Sequence, residues 1–243
     1  SKQCSISKSE APFAPFEHRA NGVFIGEGAG ALVLKRKSEA QGDNSRVYAT
    51  IKGVGTGVNT TVSSQMALME AGVSSDSVEF LEVATPSLIP SKSGAEISDL
   101  SSVYKGKKNS VRQYAVGCVQ ANIGYVGYAT GVASLIKTAL CLYNRYLPET
   151  PRWEKPSSDS LWKNSAFYVC PDSRAWMKNP GERRLAGVNG VSSGGSHFHV
   201  VMSDVEGQNE RQNIASLSDD AVKLITLAGK STDDVLGRIG QMH

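Results

Sequence analysis

Apolar positions recur along the chain in two spacings, and their alternation lays out the elements. Residues 114–119 mix β-branched, aromatic and small side chains as a buried strand does; from Val132 onward apolar residues return at Leu135, Ile136, Ala139, Leu140 and Tyr143, the helical spacing. A strand therefore runs into a helix. Upstream, residues 47–54 (VYATIKGV) alternate like a strand, residues 60–71 carry helix formers and end at Gly72 as a C′ glycine, and residues 78–84 read as the next strand. A polar, proline-containing loop over 85–92 and a short helix over 94–104 follow. Strand and helix alternating up to Arg145 predict an α/β fold, a largely parallel sheet covered by helices.

Beyond Arg145 the pattern loosens. Pro148, Pro151 and Pro156, with Trp153 and Trp162, predict a long ordered surface loop, residues 165–169 a short strand, and 184–191 and 197–202 two strands around the turn at 192–196. Near the start, residues 22–36 (GVFIGEGAGALVLKR) read as sheet interior broken by glycines. They fit the loose GxGxxA dinucleotide pattern, but strand-like residues follow where that fingerprint needs a helix. A glycine bend where the backbone passes close to another element is the favoured reading. Residues 1–15 read as loop with no earlier strand to pair with, the expectation for a fragment of a longer chain.

Composition changes the picture only by exclusion. The 243 residues are 40% apolar and 20% charged, with a net charge of +3 spread along the chain, so there is no nucleic-acid footprint. Lys105, Lys107 and Lys108 read as a solvated loop. Cys4, Cys118, Cys141 and Cys170 show no CxxC spacing, and Cys118 and Cys141 read as inert buried thiols suited to a reducing cytosol. The longest apolar run, 126–143, is broken by Lys137 and is not a membrane span.

Candidate chemistry gathers at residues 120–127, QANIGYVG, where two glycines allow close backbone approach at a helix start. A ligand seat and a plain strand-to-helix connection both fit; residue types alone favour the connection. His197 and His199 share one strand face, but no acidic or cysteine partner is near in sequence, so no metal site is expected.

Four segments together resemble the β-ketoacyl synthases, whose fold is thiolase-like. The family's PFDxxADGxxxGEGAG stretch is similar to Pro15 through Gly30, and its VDYVEAHGTGT strand and loop to Val78 through Leu88. Its KSNIGH loop is similar to Gln120-Ala-Asn-Ile-Gly-Tyr125, and its GFGGTNAHV turn to Ser192-Ser-Gly-Gly-Ser-His-Phe-His-Val200. Order and approximate spacing match over residues of about 12–204. The resemblance implies a layered sandwich of helices and mixed sheet over 1–204, the C-terminal half of a ketosynthase. Residues 205–243 would then hold a linker and the start of a small α/β ketosynthase-to-acyltransferase linker domain, with a strand, turn and helix over 221–236.

What the resemblance implies chemically lies in the departures. The family condenses acyl units with a cysteine nucleophile and two histidines. The histidine positions fall on Ala84, which has no transferable proton, and on Tyr125, a phenol that keeps a donor. The family lysine is Gln120. The nucleophile would lie upstream of Ser1, and Cys4 sits beyond its position. Ser193 stands where the family has a phenylalanine gate, while Gly194 and Gly195 remain. Kept frame and missing catalytic groups look like the chain-length factor, an inactive partner that bounds the acyl pocket of an active ketosynthase, here in a polyunsaturated fatty-acid or type I polyketide synthase.

On this resemblance the pocket or its loops are lined by Thr85, Gln120, Asn122, Tyr125, Ser193, Gly194 and Gly195. No cofactor is bound directly; the partners are an active ketosynthase domain or homologous dimer mate, a phosphopantetheine-linked acyl carrier protein and an adjacent acyltransferase, in the cytoplasm, with neither nucleic acid nor membrane. Two alternatives remain: an active synthase or decarboxylase using Tyr125 or Gln120, and a purely structural degenerate domain.

Overall fold

The computed structural model describes residues 15–17, 24–84, 95–106, 112–156, 162, 165–179, 181–192, 194–205, 231 and 236. The chain divides into two compact units, Ser1–Gln208 and Asn209–His243. Of the second only Ser231 and Leu236 are described, so the strand, turn and helix expected over 221–236 lie outside the described residues. In chain order the elements of the first unit are α1 (Lys37–Gly42), β1 (Thr50–Gly57), α2 (Thr60–Ala71), β2 (Phe80–Val83), α3 (Ala95–Val103), β3 (Tyr114–Gly117), α4 (Gln120–Ile123), α5 (Thr130–Asn144), β4 (Tyr146–Leu147), β5 (Phe167–Val169), β6 (Arg174–Ala175), β7 (Leu185–Val191) and β8 (His197–Ser203).

Alternation along β2 decides the layering. Successive strand side chains point to opposite faces, so Leu81 and Val83 enter one apolar cluster and Phe80 the other. Leu68 of α2 with Ile97 and Leu100 of α3 close the first cluster; Ala139, Cys141 and Leu142 of α5 close the second. Each large apolar side chain so buried contributes about 1.5–3 kcal/mol. The expected layered sandwich results, helices on both faces of a sheet.

Among the described residues that sheet has six strands in the order β1-β8-β7-β2-β3-β5. β7, β2, β3 and β5 run parallel, while β8 is antiparallel to both β7 and β1. The largely parallel sheet expected is therefore mixed at one edge. The turn between β7 and β8 is too short for a crossover, so it can only make a hairpin.

Local chemistry fixes the boundaries of α2. The Asn59 side chain accepts the Val62 N–H at 2.8 Å as N-cap, and Gly72 closes the helix in the left-handed region at φ 64°. The helix sits directly on the strand beneath it. A Cβ on Gly53 would lie 2.2 Å from the Ala67 carbonyl oxygen, and one on Gly55 2.0 Å from that of Ser63.

Three expectations are corrected. Residues 24–36 form no strand: apart from a single bridge between Ile25 and Tyr125 they are irregular, and Val33 is 97% exposed. Their glycines serve close passage instead, since a Cβ on Gly26 would meet the Ile123 carbonyl oxygen and one on Gly30 the Val132 side chain. Residues 120–123, read as loop, are a helical turn, and strand β3 stops at Gly117. The proline-rich stretch is not only surface, because Trp162 is buried edge-on to Phe16 and Trp153 packs on the same cluster.

Candidate functional site

The end of β2 delivers Ala84 to the sheet's α5 side, next along from Phe80 and Glu82. It is fully buried; its N–H donates to the Asn189 carbonyl of β7 at 2.7 Å, and its own carbonyl accepts from Gln120 Nε2 at 2.8 Å. Ala84 and Gln120 are thus brought together. Gln120 spends its amide on the backbone, which ties the start of α4 to the end of β2.

Asn122 is exposed and lines an apolar trough of about 440 Å³ with Val119, Ile136, Lys137, Leu140 and Cys141. Tyr125 is half-buried, and its backbone clasps the glycine segment: its N–H donates to the Phe24 carbonyl at 2.7 Å and its carbonyl accepts from Gly26 at 3.0 Å. Gly124 between them needs its left-handed φ of 76°, and a Cβ there would press on Phe24. Gly194 and Gly195 lie on the exposed hairpin, closed by Gly195 N–H to the Ser192 carbonyl at 2.9 Å. Only the φ of 85° calls for glycine at 195, since a Cβ there would meet nothing within 4 Å. Thr85, Ser193 and Cys4 lie outside the described residues, as do Lys107 and Lys108.

Two buried polar groups beside this site escape a reading by motif. Glu82, with no exposure, accepts the Val119 N–H at 2.5 Å and pairs with Lys137 Nζ at 2.8 Å. Burial works against the Lys137 ammonium, but the Glu82 carboxylate outweighs it and holds Lys137 above the ordinary lysine value. On the opposite face Glu96 accepts from Asn189 Nδ2 at 2.6 Å, and burial pushes its carboxyl up to about 8 against that donor. Glu82 inside the apolar strand read over 78–84 and a lone Lys in an apolar helix face were the available signals.

The described histidines are both occupied. His197 Nδ1 meets the Thr60 hydroxyl at 2.9 Å. His199 is fully buried, with Nε2 2.7 Å from the Tyr104 hydroxyl and Nδ1 3.2 Å from Ser64 Oγ, and burial holds it neutral at about 3. Among the described residues no group of three or more His, Cys, Asp or Glu gathers to hold a metal. Cys118, Cys141 and Cys170 are buried free thiols; burial pushes Cys118 well up and Cys141 to about 12, so neither is a thiolate at neutral pH. Among the described residues no helix is long and apolar enough to cross a membrane.

Comparison with known proteins gives this geometry a family. Residues 39–154 match the family described as "Beta-ketoacyl synthase, C-terminal domain", and residues 1–40 match its N-terminal domain. The chain belongs to the β-ketoacyl synthase family. This ketosynthase-family chain is 40% identical over its whole length to one component of the polyunsaturated fatty acid synthase of Thraustochytrium sp., of which it covers 12%. It is 31% identical over 82% of its length to "Polyketide synthase PksL" of Bacillus subtilis, covering 5% of that protein. In structure it matches the ketosynthase from module 6 of the bacillaene synthase of Bacillus subtilis 168, with a TM-score of 0.72 and 28% identity, over 81% of this chain and 37% of that one. The ketosynthase fold is thiolase-like, so the layered α/β architecture is the family's. The chain therefore spans a small part of the curated relatives it matches.

Proposed function

We propose that this ketosynthase-family chain is a non-condensing, chain-length-factor-like domain. It pairs with an active β-ketoacyl synthase and shapes the pocket for an acyl chain during polyunsaturated fatty-acid or polyketide assembly. The observation that carries the reading is Ala84: the family's proton-carrying position holds a methyl group, buried and hydrogen-bonded only through its backbone. The two described imidazoles are committed to Thr60 and to Tyr104 and Ser64. A general acid or base must reach the reacting group and exchange protons near the working pH, and an alanine does neither.

The same proposal includes an acyl carrier protein bearing phosphopantetheine and a neighbouring acyltransferase. It makes residues 1–204 the ketosynthase-like domain and 205–243 a linker with the start of the next domain. A reducing cytoplasmic setting fits the free thiols Cys118, Cys141 and Cys170. The pocket assignment covers Thr85, Gln120, Asn122, Tyr125, Ser193, Gly194 and Gly195.

The test uses a polypeptide carrying both ketosynthase halves, assayed with acyl and malonyl carrier proteins. Without an active partner synthase no elongation is expected; elongation at the partner's rate refutes the proposal. Tyr125→Phe separates the enzyme reading, since unchanged product formation is expected here and loss of activity would move the tyrosine into the chemistry.

A further inference from the structure

The space beside Ala84 is filled, and the filler is Phe198. In the β7–β8 ladder Phe198 stands opposite Gly190, and its ring lies across that glycine: a Cβ on Gly190 would be 2.4 Å from Phe198 Cζ and 2.7 Å from Cε1. The same added Cβ would be 3.1 Å from the Ala84 Cβ, so ring edge and alanine methyl flank one point. The far end of the ring reaches the first turn of α5, where a Cβ on Gly131 would touch Cζ at 3.7 Å. Phe198 is partly buried and packs on the α5-side cluster. Gly190, Gly131 and Ala84 are all small, and one aromatic ring occupies the room their missing side chains leave.

We propose that Phe198 is a specificity-determining residue, a stopper that closes the α5 side of the pocket beside position 84 and limits how far an apolar acyl chain extends there. This rests on the pocket-shaping role proposed above. Sterically, positions 84 and 198 compete: bulk added at 84 must displace the ring, and removing the ring opens a cavity lined by Ala84, Gly190 and Gly131. Burying further methylenes in such a cavity is favourable. A longer acyl chain would therefore be admitted.

Two experiments test this, both in a polypeptide with both ketosynthase halves. With the active partner synthase and carrier protein, Phe198→Ala is expected to shift the product distribution longer by one extension unit or more. Phe198→Leu, which keeps an apolar cover over Gly190, gives a smaller shift in the same direction and guards against loss of folding. An unchanged distribution in both variants overturns the stopper. The second experiment is a thermal double-mutant cycle of Ala84→Leu and Phe198→Ala. Ala84→Leu alone is expected to lower Tm, and adding Phe198→Ala to recover at least half of the loss. Additive effects overturn the steric competition itself. Coupling without any product shift overturns the specificity role while the non-condensing proposal, read from the separate elongation assay, stands.

Discussion

Glu96 and His199 share one amide and drive stability in opposite directions with pH. Asn189 donates through Nδ2 to Glu96 Oε1 at 2.6 Å, and its Oδ1 lies 3.4 Å from His199 Nδ1. Glu96 rises from 4.5 to about 8 on folding, so the folded state holds a proton that the unfolded state releases. Its contribution is full below pH 4.5 and is lost as pH climbs to 8. His199 falls from 6.5 to about 3, so the unfolded state holds the extra proton; its contribution is full above pH 6.5 and is lost as pH drops to 3. Each slope is about 1.4 kcal/mol per pH unit. Between pH 4.5 and 6.5 they oppose and largely cancel, each hiding on the order of 3 kcal/mol of the other. Urea unfolding at half-unit pH steps reads this. Relative to wild type, Glu96→Gln gains stability steadily as pH rises from 4.5 to 8, and His199→Gln gains it as pH falls from 6.5 to 3. Variants whose stability runs parallel to wild type across these windows would refute the coupling.

Lys137→Met strands the Glu82 carboxylate among apolar neighbours and is expected to cost about 3–5 kcal/mol, a Tm loss of about 6–20 °C by calorimetry, much of it recovered in Glu82→Leu/Lys137→Met. Asn59→Ala removes the side-chain cap on the first turn of α2 and is expected to cost about 1 kcal/mol in denaturant titration, against a few tenths for Asn59→Gly.

Helix α2 was legible because its ends carry local chemistry: helix formers over 60–71 and a glycine in the left-handed region at 72. What it packs on was not, since its inward face is Ser63, Ser64 and Ala67, which no apolar stripe announces. The partner signal was the spacing Gly53, Gly55, Gly57, intelligible only once the strand faces the helix. Residues 24–36 misled for a related reason: apolar residues with glycines suit a strand, and only tertiary contact shows that the glycines let the chain pass over α4 and α5. At the site, Ala84 and Gln120 were found through motif resemblance, because an alanine has no chemical signature of its own. Glu82 and Lys137 come together from different elements, and Phe198 gained meaning only when the ladder put it across from Gly190.

At Gly53 and Gly55 the bare track on β1 lies against the backbone of α2, which leaves little side-chain layer on which the helix could slide. Shear between packed elements depends on side chains exchanging small offsets, and here carbonyl groups rest almost on Cα atoms. Strand and helix must travel as one plate. Thr60 holds His197 and Ser64 holds His199, so any tilt of the β7–β8 hairpin would be transmitted whole to α2 instead of dissipating at the sheet edge.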